Sequence, residues 1–143
     1  MKTIVAKQLR GNERAWYVVD ANGMNLGRLA TQIARILSGR NRVDFTPHLD
    51  NGAYVVILNA GKVSVTGTKE AVKMYRSHSQ YMGGLKETTL AKMREKNPVH
   101  ILKHAISGML PKNRLHDGML DRLKLELGDT HPYAAQKPET LSL

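Results

Sequence analysis

Apolar positions along the chain alternate between two periods. Ala15-Trp-Tyr-Val-Val19 is a short aromatic and β-branched run, which predicts a strand, and Asp20-Ala-Asn-Gly23 follows as a turn. From there the period lengthens. Leu26, Leu29, Ala30, Ile33, Ala34 and Leu37 follow the spacing of one buried helix face, with Asn25 placed to cap its start and Gly39 to stop it. Arg28 and Arg35, seven apart, share the opposite side. Ala53-Tyr-Val-Val-Ile-Leu58 is an unbroken apolar run, as expected of a strand buried on both faces. A strand, a helix and a buried strand predict a βαβ unit with parallel pairing and a right-handed crossover.

The second half is less regular. Lys62-Val-Ser-Val-Thr66 alternates and predicts a shorter, half-exposed strand; residues 69–76 and 87–95 predict short helices. Asn97-Pro98 opens another helix, since Asn can cap and Pro suits the first helical position. Its buried stripe is Val99, Leu102, Ala105, Ile106 and Met109, and Pro111 lies just beyond its end. Asp117 is placed to cap a short helix through Met119 and Leu120. Leu123-Lys-Leu-Glu-Leu127 alternates like a late strand, stopped by Gly128, and the Pro-punctuated tail from His131 to Pro138 predicts an extended segment. The expected organisation is a basic arm at residues 1–14, one α/β domain at 15–128, and a tail at 129–143 packed on that domain.

A chain of 143 residues predicts a single domain with a substantial core. It contains no cysteine, which excludes disulfides, thiolate metal sites and cysteine nucleophiles. No run approaches 18 consecutive apolar residues, and the polar, basic start lacks a signal-peptide stretch, so the expected location is the cytoplasm and no membrane partner is expected. The net charge of +10 is unevenly spread: residues 62–124 hold thirteen Lys/Arg against five Asp/Glu, a local balance of +8. Such concentration predicts a polyanionic partner, RNA before others.

Candidate enzyme chemistry does not assemble. Gly23-Met-Asn-Leu-Gly27 sits at a βα turn, where phosphates bind in other folds. Three residues separate its glycines where a P-loop needs four, Arg28-Leu29 follows in place of Lys-Ser/Thr, and no glycine lies two before Gly23 for a dinucleotide fingerprint. His100 and His104 share a helix face, but Ile101 stands where a zinc protease needs Glu. Two polar-face histidines beside a polyanion explain them better, adding charge only at mildly acidic pH. There is no Gly-x-Ser-x-Gly elbow. Asp117 and Asp121, beside Arg122 and Lys124, read as a solvated pair. No cofactor, metal or small-molecule substrate is therefore expected. The competing class is an α/β enzyme acting on a nucleotide or other anionic substrate through the turn near Gly23 and Gly27.

Two loop-like segments frame the basic region. In Tyr81-Met-Gly-Gly-Leu-Lys86 the paired glycines Gly83 and Gly84 permit positive φ and let backbone N–H groups approach a phosphate, with Arg76, His78, Tyr81 and Lys86 on either side. In Met109-Leu-Pro-Lys-Asn-Arg114, apolar Met109 and Leu110 are expected to anchor the core, while Pro111 stiffens the chain and aims Lys112, Asn113 and Arg114 outward. Ordering cations before contact reduces the entropy lost on binding. Aromatics are scarce and no Gly-Phe-x-Phe string occurs, so folded RNA fits better than stacked single strands.

Trp16-Tyr-Val-Val-Asp20, Leu26-Gly-Arg-Leu-Ala30, Thr46-Pro-His48, Ile57-Leu-Asn-Ala60, Thr66-Gly67, Gly83-Gly-Leu-Lys86, Gly108-Met-Leu-Pro-Lys112 and His131-Pro-Tyr-Ala-Ala-Gln-Lys-Pro138 occur in this order. The ordered set closely resembles the bacterial-type large-subunit ribosomal protein L-thirteen family and covers about Thr3 to Glu139. The resemblance implies a three-layer α/β/α domain with a mostly parallel four-stranded sheet. It also implies binding to large-subunit ribosomal RNA early in assembly, beside neighbouring ribosomal proteins and without catalysis; the free chain is expected to be a monomer. Carried over, the RNA contacts fall on Arg76, His78, Tyr81, Gly83, Gly84 and Lys86, and on Lys112, Asn113 and Arg114. Arg122 and Lys124 complete the expected footprint, and Lys2, Lys7, Arg10 and Arg14 could extend it. The chain departs from the family at Gln80, often Gly, and at Leu115-His-Asp-Gly118, where His116-Asp117 lowers the charge.

Overall fold

The helix that the apolar spacing predicts forms as α1, Leu26–Ser38, between strands β1, Trp16–Asp20, and β2, Tyr54–Leu58. The structure is a computed structural model and describes residues 6–143. Asn25 caps α1: its side-chain oxygen accepts from the N–H groups of Gly27 and Arg28 at 3.1 and 3.4 Å. Gly39 ends it at φ 76, where its N–H reaches Ile36 O at 3.1 Å. Only glycine takes that left-handed conformation without strain.

The remaining elements are α2, Lys69–Val72; β3, Met74–His78; β4, Leu85–Thr89; α3, Leu90–Lys96; α4, Pro98–Met109; α5, His116–Asp121; β5, Leu123–Leu125; and β6, Glu139–Thr140. The main sheet has the order β5-β2-β1-β6 with every pair parallel, so the fold is α/β as expected. Both edge strands come from later in the chain. The tail does not stay merely extended: a 3-10 turn at Ala134–Gln136 precedes β6, which pairs with β1.

Register divides the sheet into two faces. Val19, Val55 and Ile57 join the buried residues of α1 and α4 in the main core. That core holds Leu29, Ile33, Leu37, Ile101, Leu102 and Ile106 fully buried, each worth about 1.5–3 kcal/mol over an exposed position. Val56 points the other way. On that face Trp16 stacks on Tyr54 with ring centroids 4.2 Å apart, and Tyr133 of the tail lies 5.5 Å from Trp16.

Four expectations need correction. Residues 62–66 do not form a strand; Ser64 makes a single bridge to Asn25, and Arg94 holds the preceding loop by donating to Gly61 O and Val63 O at 2.9 and 3.1 Å. The helix expected over 69–76 is one turn, α2, after which the chain turns into β3. The helix expected over 87–95 starts only at Leu90, because 85–89 pairs with β3 as an antiparallel hairpin. Finally, α5 has no side-chain cap, and Asp117 lies inside its first turn.

Candidate nucleic-acid interface

The glycine-bearing segment is the tip of the β3–β4 hairpin. Ser79 N–H donates to Gly84 O at 3.1 Å, and Gly84 N–H donates to Tyr81 O at 2.9 Å, closing a compact turn over 79–84. Gly83 has φ 72. A Cβ on Gly84 would lie 2.2 Å from Ser79 Oγ and 2.8 Å from Tyr81 O, so glycine is a steric requirement there. Gln80 also has φ 71, a left-handed conformation that favours glycine. Tyr81 and Met82 project into solvent. The root is fixed by Tyr75, which is buried edge-on against His104 with ring centroids 5.3 Å apart.

The cations around this tip are not equivalent. Lys86 is exposed and has no carboxylate partner among the described residues. Arg76 faces Glu87 across the hairpin and donates to it at 2.6 Å. The pair is exposed and worth little to stability, yet it halves the free positive charge of that strand pair. His78 Nδ1 accepts the Gln80 N–H at 3.0 Å, so the neutral ring carries its proton on Nε2 and offers a donor outward.

The second segment is built differently from the expectation. Leu110 is 3% exposed and is the anchor, whereas Met109 is 46% exposed and does not enter the core. Helix α4 uses Ile101 instead, because it packs against both α1 and α3 and buries a wider stripe than the one predicted. Asn113 shapes the turn: its N–H reaches Pro111 O, and its side-chain oxygen accepts from Leu115 N–H, both at 3.0 Å. Lys112 and Arg114 flank it, exposed and outside every ion pair among the described residues. Just beyond, His116 turns inward, with Nε2 3.3 Å from Ser107 Oγ and Nδ1 3.1 Å from Asp117.

Arg122 must be withdrawn from the expected footprint. It is 5% exposed and donates through both terminal nitrogens to Asp50, at 2.5 and 2.6 Å, and to the carbonyls of Gly118 and Leu37, each at 2.9 Å. Its charge is spent joining α5, α1 and the approach to β2. Lys124 is half-buried in β5, opposite Val56 in register, which puts it on the sheet face away from α1. Arg14 is likewise structural, donating to Gly52 O and Asp50 O at 2.8 and 2.7 Å. Lys7 pairs with Glu13, Arg10 is exposed, and Lys2 lies outside the described residues.

The alternative turn chemistry also has an occupant. At the start of α1, the N–H groups a phosphate would need are taken by the Asn25 side chain. His100 and His104 have ring centroids 5.9 Å apart on α4. Burial, then His100 and Lys73, hold the His104 pKa below the ordinary histidine value, so it contributes less charge at mildly acidic pH than expected. No group of three or more His, Asp or Glu able to hold a metal occurs among the described residues.

Comparison with known proteins covers most of the chain. The family described as Ribosomal protein L13 matches residues 14–132. The "Large ribosomal subunit protein uL13" of Pelobacter propionicus is 50% identical over 143 residues, 100% of both chains. Its counterpart in Agathobacter rectalis is 50% identical over 141 residues, 99% of each. That of Nostoc sp. is 51% identical over 131 residues, 92% of this chain and 87% of its own.

Proposed function

The chain belongs to the ribosomal protein L13 family, and from that membership we infer a structural constituent of the large ribosomal subunit that grips folded ribosomal RNA through two rigid, cation-bearing turns. Family membership sets aside the competing reading as a nucleotide-directed enzyme. Its partners are ribosomal RNA and neighbouring large-subunit proteins, its place is the large subunit, and it is a monomer when free.

One observation carries the assignment of contacts: Lys86, Lys112 and Arg114 are exposed and unpaired among the described residues, Lys86 on β4 just after the hydrogen-bonded 79–84 turn and the other two on the turn that Asn113 shapes. Cations held in this way reach phosphates with little further loss of freedom. Gly83, Gly84 and Tyr81 bring backbone and a hydroxyl to the first turn, with Arg76 and His78 as secondary donors; Asn113 shapes the second. Lys124 sits on a different face and is a peripheral contact at most. Supporting early assembly follows from the same design, since a preformed protein surface can order RNA that has not yet met its other partners.

The test is the salt dependence of binding to naked large-subunit ribosomal RNA. Each neutralised phosphate contributes a slope of roughly 0.7–0.9 in log affinity against log salt. Replacing Lys86, Lys112 and Arg114 together with Ala should flatten the slope by about two to three units. An unchanged slope would move the footprint elsewhere.

A further inference from the structure

Beside the second turn, α1 and the end of α4 leave an open cleft of about 540 Å³, within the roughly 300–1,000 Å³ common for small-molecule sites. Its walls include the apolar Met109, Leu110 and Pro111, and its polar rim is Arg35, Arg40 and Thr31. A smaller, more enclosed pocket of about 70 Å³ shares Ser38, Arg40 and Pro111 with it and continues to Phe45 and Asn113, reaching the turn that carries Lys112 and Arg114. No Asp or Glu lines either part. Arg40 rests over the Phe45 ring, 5.9 Å from its centroid, which orients the guanidinium.

Both arginines sit at the C-terminal end of α1, where cations complement the helix dipole. That local role leaves them without a carboxylate: among the described residues neither enters an ion pair. The exposure of Met109 gains a purpose here. Its sulfur lies 3.4 Å from Thr31 Oγ1, so it forms a wall of the cleft instead of filling the core.

We propose that this cleft seats one nucleotide of the bound ribosomal RNA, with its phosphate on Arg35 and Arg40 and its sugar or base against Met109 and Pro111. Charge decides the occupant. A cleft with two free guanidinium groups, no acidic lining and a direct path to Lys112 and Arg114 suits a polyanion whose monomers have an apolar face. The inference rests on the reading of this protein as a ribosomal RNA binder and extends the footprint to residues outside the +8 segment.

Two variants test it in titrations of the full chain against naked large-subunit ribosomal RNA over a range of salt. Arg35→Gln with Arg40→Gln should lower the slope by roughly 0.7–0.9, one phosphate contact's worth. Thr31→Trp changes an exposed helix position and fills the cleft while keeping both charges. It should weaken binding by ~tenfold, about 1.4 kcal/mol, with the slope unchanged, because the nucleotide loses its contacts with Met109 and Pro111. Thermal melting of each variant checks that the fold is intact. If the wild-type chain shows no steep salt dependence, the ribosomal RNA reading itself fails. If it binds steeply and either variant matches it, the nucleotide seat is overturned and that reading stands.

Discussion

Replacing Arg122 with Met separates a structural cation from a binding one. The side chain is buried and donates twice to Asp50 and once each to Leu37 O and Gly118 O. Met keeps the aliphatic stem but removes all four bonds. Asp50 would retain only Arg14 for company, whose nearest guanidinium nitrogen is 3.8 Å from the carboxylate. The carbonyl of Leu37, near the end of α1, would lose its donor. Removing one partner of a buried pair costs roughly 3–5 kcal/mol, mostly because the other charge is left in a medium that solvates it poorly. At roughly 2–4 °C per kcal/mol for a chain near this size, the melting temperature should fall by about 10 °C. Urea unfolding should show the same loss as a lower midpoint with an unchanged m-value. Under conditions where the variant is folded, its salt slope for ribosomal RNA should equal that of the wild type. A variant that melts within about 1 kcal/mol of wild type, or whose slope drops by roughly 0.7–0.9, would refute the assignment and return Arg122 to the footprint.

Two further outcomes follow from the packing. Gly52→Ala should destabilise the fold by about 1–3 kcal/mol or more, measurable by urea midpoint, because the new Cβ would fall 1.8 Å from Leu37 O, against backbone that cannot move freely. His104→Gln should reduce the acid sensitivity of the fold. The histidine pKa is lowered in the folded state by burial, so above the unfolded value of about 6.5 both states are neutral and no effect is seen. As pH falls below it, the unfolded chain takes up the proton first and stability declines. Melting curves between about pH 5 and 7 should therefore converge less for wild type than for the variant; identical pH profiles would sink this account.

Legibility in the sequence followed the strength of the periodic signal. The βαβ unit and α4 were readable because each buries a continuous apolar face, with Asn25, Gly39, Asn97 and Pro98 marking the ends. The β3–β4 hairpin was not. Of β3 only Tyr75 is buried, and β4 has no fully buried residue, so the two strands carry no alternating pattern and are held by pairing with each other. The apolar spacing of α4 puts Val99 and Met109 in its stripe, while the buried positions are Ile101, Leu102 and Ile106. A helix touching two neighbours buries a face that no single period describes.

The residues themselves determined the family, the α/β class, the concentration of positive charge and the two turns that present it, since these depend on local spacing and short-range chemistry. Which cations are free was a tertiary matter. Arg122 and Asp50 are 72 residues apart in the chain, yet their side chains meet at hydrogen-bond distance. Arg76 is matched by Glu87 only because the hairpin puts them opposite. Arg35 and Arg40 join the edge of the Lys112–Arg114 turn only because α4 delivers Pro111 beside the end of α1. A charge's role depends on what shares its surroundings, and the fold decides those surroundings by bringing distant segments together.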